Sequence, residues 1–206
     1  MKYSKPKQDR ARATEEALLE AFGALLAEQG YAATTVSEIG ERANRSPGAF
    51  LARFGSKRRA LDKLFERFCE EVYGVLRRAQ QELVAGGEVD PVLMDLSECY
   101  EGLVRRHLGA NRAMKEVFLT EGQIDPQTRS IFKATVALLH DIWVGEAGPD
   151  HARQGSFAST QVLVTLNYEY VLGSMPAFPS DPGERHRLIV RCMRAAATGA
   201  AIPRSG

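Results

Sequence analysis

Two helix-start signals stand so close together near the N-terminus that they dictate the local fold. Thr35 and Glu38 have capping-box spacing, in which the threonine oxygen accepts from the N3 amide and the carboxylate accepts from the Thr35 amide. Ser46-Pro47 is a second start: serine caps, and proline at the first helical position gives up only an amide that would be orphaned anyway. A helix opening at Thr35 must therefore close before Ser46, which leaves Asn44 and Arg45 to make the turn. Two short helices joined this tightly form a helix-turn-helix, expected roughly between Thr35 and Phe54. Gly55-Ser56 ends the second of them and caps a further helix containing Leu61, Leu64, Phe65 and Phe68.

The flanking sequence has the same character. Residues 1 to 9 are polar and lysine-rich without periodicity and are expected to form a flexible arm. From Arg10 to Gln29, Ala17, Leu18, Ala21, Phe22, Leu25 and Leu26 recur on one helical face, and Gly30 stops the helix. Ile39, Ala43, Phe50 and Phe54 mark the inward faces of the two short helices, and Gly40 is suited to a close crossing. Downstream, Asp90-Pro91, Asp125-Pro126 and Asp181-Pro182 each open a helical segment. Interruptions fall at Gly86-Gly87, Glu121 to Ile124, Gly145 to Pro149 and Gly173 to Gly183. No strand alternation competes. The fold class is all-α: a three-helix helix-turn-helix head and a C-terminal helical bundle body, with nine or ten helices in total.

The formal net charge of +1 hides an asymmetry. Residues 1–67 hold 13 Lys and Arg against 9 Asp and Glu, whereas residues 68–206 hold 14 against 17. A basic head over 1–67 thus precedes an acidic body over 68–206. Cys69, Cys99 and Cys192 form no C-x-x-C pair and read as buried thiols, with a redox switch as the alternative. With no apolar leader after Lys2, Lys5 and Lys7, and no membrane span, a soluble cytoplasmic protein is expected.

Gly30-Tyr31-Ala32-Ala33-Thr34-Thr35-Val36, followed by Ile39, Ala43, Ser46-Pro47-Gly48, Phe50, Phe54 and Ser56-Lys57, resembles the TetR family of transcriptional regulators. The resemblance implies a partner, a double-stranded DNA operator, and a function, repression relieved by a small-molecule effector. By the same resemblance Thr35 and Lys57 grip phosphates, Ser37, Pro47, Gly48, Ala49 and Arg53 face base edges, and Arg45 in the turn reaches a phosphate. Arg53 is suited to guanine and Ala49 to a thymine methyl. The chain departs from the family at three positions: Leu51 replaces the usual tyrosine, Arg53 the usual histidine, and Asn44 the glycine of the turn. Lys57, Arg58 and Arg59 occupy a helix's first turn, where the macrodipole disfavours cations. Phosphate contact is the reading that accounts for all three, a solvated basic face the alternative.

In the body, Ser156 to Leu172 is apolar on more than one face and needs two burial surfaces. Together with Glu184 to about Thr198, which carries Leu188, Ile189, Cys192 and Met193, it is expected to build a homodimer through the two C-terminal helices. The family resemblance also places an effector pocket in the body. Tyr100, Met114, Phe118, Trp143, Asn167 and Tyr168 are its candidate lining residues, since aromatics with a polar edge both enclose and orient a ligand; plain core packing is the alternative for each.

H-E-x-x-H, G-x-S-x-G, G-x-G-x-x-G and the P-loop spacing are all absent from the sequence. His107, His140, His151 and His186 show no ligand spacing on a shared helical face. Neither an enzyme, a metal site nor a cofactor is expected.

Overall fold

Capping and glycine placement translate directly into helices. The structure, a computed structural model, describes residues 5–199. In chain order they form α1 (Lys5–Ala33), α2 (Val36–Arg42), α3 (Pro47–Phe54), α4 (Lys57–Val84), α5 (Val89–Arg106), α6 (Leu108–Glu121), α7 (Pro126–Ala147), α8 (Pro149–Val171) and α9 (Pro182–Thr198). No strand occurs among the described residues, so the class is all-α. Nor is any described helix long and apolar enough to cross a membrane.

Helix boundaries follow the sequence signals with informative exceptions. Residues 5–9, expected in a flexible arm, are helical and continuous with α1; residues 1–4 lie outside the described residues. Pro6 is compatible with this because it falls in the first turn, where no intrahelical amide bond is lost. Gly30 has φ 81° and ψ 175°, so the regular helix ends there as its sequence implies. The Asp125 carboxylate accepts from the Gln127 and Thr128 amides, and that of Asp181 from the Glu184 amide, as caps should. Asp90 instead lies inside α5, where its carboxylate accepts from Arg194 at 2.7 Å. Another break, at His107 between α5 and α6, carries neither glycine nor proline and has no side-chain cap.

Two compact units result. One comprises the chain through Phe68 together with His107–Ile124; the other comprises Cys69–Arg106 and the chain from Asp125 onward. Residues 107–124, which the boundary at 67/68 counts with the body, therefore cluster with the helix-turn-helix. Their physical tie is a close approach of α6 to α1. A Cβ on Gly109 would collide with the Gly23 carbonyl oxygen and lie 2.9 Å from the Ala27 amide nitrogen. Glu116 of α6 accepts from the Tyr31 amide at 2.9 Å and the Ala32 amide at 3.3 Å, satisfying donors just past Gly30.

The first unit's core is built on Leu18, Leu19, Phe22, Leu26, Ile39 and Phe50, all fully buried. Phe22 and Phe50 meet edge to face with centroids 6.1 Å apart, and Phe50 leans on Phe54 at 5.0 Å. Each such side chain contributes roughly 1.5–3 kcal/mol by burial. In the second unit α8 packs between α7 and α9. Trp143 is fully buried and donates Nε1–H to Ser159 Oγ at 2.8 Å, while Ser159 donates to the Gly155 carbonyl at 2.6 Å. Helix α8 starts at Pro149, earlier than the apolar segment from Ser156 indicates, because proline after Gly148 opens it.

Candidate nucleic-acid interface

The helix-turn-helix of α2 and α3 is fixed at four points. Thr35 Oγ1 accepts from the Glu38 amide at 3.2 Å, and Glu38 Oε2 accepts from the Thr35 amide at 2.8 Å, completing the capping box. The Thr35 hydroxyl also donates to Glu38 Oε2 at 2.7 Å, and this bond, with those from the Thr35 amide and Gln29, holds the Glu38 carboxyl below its ordinary range. Asn44 adopts φ 53°, the left-handed conformation that asparagine tolerates better than most residues. Gly40 sits so close to the turn that a Cβ there would stand 2.8 Å from the Arg45 carbonyl oxygen. Ser46 Oγ then caps α3 by accepting from the Ala49 amide at 3.1 Å.

Helix α3 turns Phe50 and Phe54 inward and leaves Pro47, Gly48, Leu51, Ala52 and Arg53 exposed. Ala49 is half-buried, and Thr35, Ser37 and Arg45 are exposed around the helix-turn-helix. The structure therefore brings Thr35, Ser37, Arg45, Pro47, Gly48 and Ala49 together on this motif with their side chains at or near solvent. Arg53 is turned elsewhere: Nη2 donates to the Ala11 carbonyl at 2.9 Å and Nη1 stands 3.3 Å from Glu15.

Two of the three cations at the start of α4 have folding partners, of which only Asp62, four residues after Arg58, is visible in the sequence. Lys57 Nζ donates to the Tyr31 and Thr34 carbonyls, both at 2.7 Å, and lies 4.3 Å from the Tyr31 ring centroid. Burial lowers the Lys57 pKa against the opposing pull of Glu116 and Glu38. Arg58 pairs with Asp62 at 2.9 Å and with both oxygens of Glu121. Local folding thus does account for Lys57 and Arg58, contrary to the macrodipole argument; Arg59 stays exposed.

Of the six candidate pocket residues, Met114 and Phe118 belong to α6 in the first unit, while Tyr100, Trp143, Asn167 and Tyr168 belong to the second. Trp143 spends its donor on Ser159. Burial, followed by the field of neighbouring Tyr168, pushes the Tyr100 phenol well above its ordinary value. Asn167 is fully buried; its Nδ2 donates to the Leu163 carbonyl at 2.9 Å and to Ser97 Oγ at 3.2 Å, whereas Oδ1 has no partner.

Asn167 opens onto a polar cluster absent from the sequence reading. Ser97 Oγ and His186 Nδ1 are 2.8 Å apart, and His186 Nε2 is 3.4 Å from Glu101. Glu101 accepts from Arg185 through Nε at 2.8 Å and Nη2 at 3.0 Å, and from Arg105 Nε at 2.9 Å. Burial alone would raise the Glu101 carboxyl, but these two arginines outweigh it and lower it. Burial lowers the His186 pKa, and a ring with Nδ1 toward the Ser97 hydroxyl and Nε2 toward the Glu101 carboxylate fits the tautomer protonated on Nε2. Although hydroxyl, imidazole and carboxylate follow in order, Ser97 is fully buried and both arginines occupy Glu101, so the chain orders the core. The i,i+4 spacing of Glu101 and Arg105 is visible in the sequence; their convergence with α9 is not.

Among the described residues no group of three or more His, Cys, Asp or Glu could hold a metal ion. Cys69 is buried, Cys99 and Cys192 are partly so, and none of the three forms a disulfide among the described residues. Burial raises the Cys99 and Cys192 thiols, which opposes thiolate chemistry.

Comparison with known proteins places this geometry. Residues 18–63 match the family model "Bacterial regulatory proteins, tetR family". No curated protein matches the chain. Among solved structures, a transcriptional regulator of the "TerR/AcrR" family from Aquifex aeolicus VF5 superposes with TM-score 0.63 at 20% identity, covering 88% of this chain and 98% of that one. NalD, the secondary repressor of the MexAB-OprM multidrug efflux pump in Pseudomonas aeruginosa, gives 0.61 at 15% identity, covering 92% and 98%. A TetR-family transcriptional regulator from Bordetella parapertussis 12822 gives 0.61 at 18%, covering 93% and 98%. Residues 18–63, which include the helix-turn-helix, are thus similar to the bacterial tetR regulatory proteins, and the chain shares the fold of solved TetR-family transcriptional regulators.

Proposed function

We propose that this protein is a DNA-binding transcriptional repressor, released from its operator by a small molecule held in the second unit. The observation that carries the reading is the solvent face of α3, presented by a rigidly capped turn. Its unit holds 15 Lys and Arg against 11 Asp and Glu, a balance suited to a polyanion. Thr35, Arg45 and Lys57 contact phosphates, and Ser37, Pro47, Gly48, Ala49 and Arg53 face base edges. For Lys57 the phosphate takes the N–H left over from the two carbonyls. Arg53 must first leave Glu15.

The protein acts as a homodimer through α8 and α9. Val162, Val164 and Leu166 on α8 and Leu188 and Cys192 on α9 are only half-buried in the single chain, as expected of a face awaiting a partner. In the second unit the effector meets Tyr100, Asn167 and Tyr168, with the unpaired Asn167 oxygen as acceptor. Support for repression comes from NalD, which is named a repressor.

Anisotropy titrations of the full chain against promoter duplexes at several salt concentrations test the DNA reading. Sequence-preferring binding that weakens linearly on a log–log salt plot is expected; binding without preference or without salt dependence refutes it.

A further inference from the structure

Helix α3 presents a reading surface almost without hydrogen-bond donors. Its exposed residues are Pro47, Gly48, Leu51, Ala52 and Arg53, and the one cation among them is folded back onto the Ala11 carbonyl and Glu15. What remains is an apolar stripe in which Gly48, Leu51, Ala52 and Gly55 recur at i, i+3, i+4 and i+7. Leu51 is 47% exposed. Flanked by glycine and alanine, it projects farthest from the helix, and its small neighbours allow the backbone to come close.

Resting on the DNA-binding reading above, we propose that Leu51 is a specificity-determining residue that seats on a thymine C5-methyl in the major groove. Groove floors present acceptors and amino donors at guanine, cytosine and adenine, and each of these is left unpaired when a leucine covers it. Only thymine offers an apolar group at the groove edge. Exposed Arg45 and Arg59 flank α3 in the chain, so charge complementarity also favours a duplex over an apolar protein partner. The chosen base therefore lies in the operator half-site at the position facing the middle of α3, and a dimer reads it twice.

The test begins with duplexes selected from a random pool by the full chain. Each thymine of the preferred site is replaced singly by deoxyuridine, which lacks only the methyl group, and dissociation constants are measured at fixed salt. One thymine per half-site is expected to show roughly fourfold weaker binding on losing its methyl, the equivalent of one buried carbon, and about fifteenfold when both half-sites are changed. Leu51→Ala should bind the thymine and deoxyuridine sites equally while keeping its far-ultraviolet dichroism, since the side chain takes no part in the core. Selective binding indifferent to every deoxyuridine overturns the proposal and leaves the regulator reading standing. So does a deoxyuridine penalty that persists in Leu51→Ala, because another residue then reads the methyl. Failure to select any sequence overturns both.

Discussion

Replacing Glu101 with alanine should destabilise the second unit more than any surface change. Glu101 is 6% exposed and Arg185 is 3% exposed, and two charge-assisted bonds of 2.8 and 3.0 Å join them. Without the carboxylate, Arg185 keeps the Pro179 and Ser180 carbonyls, both at 3.0 Å, and its place 4.0 Å from the Tyr170 ring centroid, but its charge is left buried without a counter-ion. Two charge-assisted bonds at about 1.5–2 kcal/mol each give a loss of about 3–4 kcal/mol, within the range for breaking one side of a buried pair. For a chain of this length that corresponds to roughly 6–16 °C in the melting temperature. Urea titrations and calorimetry of the full chain at pH 7.5 measure it. Glu101→Gln should lose less, because one oxygen and the shape remain. Adding Arg185→Met to Glu101→Ala should recover much of the loss, since the stranded charge goes with it. A loss under about 1 kcal/mol for Glu101→Ala, or no recovery in the double variant, would refute the view that the cost arises from a stranded guanidinium.

Three further outcomes are expected. Stability should fall in two stages on acidification. His186, with Glu101, Arg185, Ser97 and Glu98 around it, has its pKa held below the ordinary 6.5, so the unfolded chain takes up the proton first and stability is lost as pH drops below 6.5; Glu101, held below 4.5, adds a second loss as pH drops below that value. Urea midpoints between pH 8 and about 3 read both stages, and His186→Gln should flatten the first. Gly109→Val forces the α1–α6 crossing apart and should cost about 2–4 kcal/mol in denaturation while leaving far-ultraviolet helicity nearly intact; an unchanged midpoint would contradict the close approach. Leu188→Glu or Val164→Glu should give monomers by sedimentation and weaken operator binding in parallel, and an unchanged mass would exclude that face as the dimer contact.

Most of the helical layout was legible because its signals are local. Capping boxes, Ser-Pro and Asp-Pro starts and glycine stops act within one turn of chain, so Thr35, Ser46, Asp125 and Asp181 all cap where their neighbours imply. The break at His107 was not legible, since it carries no breaker residue; packing of Gly109 against α1 accompanies it. Asp90 misled for a related reason. Its carboxylate is engaged by Arg194, more than a hundred residues away in sequence, so a local capping pattern was overridden by a tertiary ion pair.

The candidate site divides along the same line. Exposure of Ser37, Pro47, Gly48 and Leu51 follows from helical periodicity once Phe50 and Phe54 are assigned to the core. Charge partners do not follow. The macrodipole at Lys57 is that of its own helix alone, yet the ammonium finds two carbonyls at the end of another segment, where a cation is favoured. Lys57 therefore already has a structural task, locking the residues after Gly30 against α4, and a phosphate contact would be added to that task. Arg53 presents the opposite case, a cation whose partners Glu15 and Ala11 compete with a base for its guanidinium. Removing the competitor separates the two: Glu15→Ala should strengthen binding if Arg53 serves the duplex. A change confined to thermal stability would leave base recognition to the apolar stripe centred on Leu51.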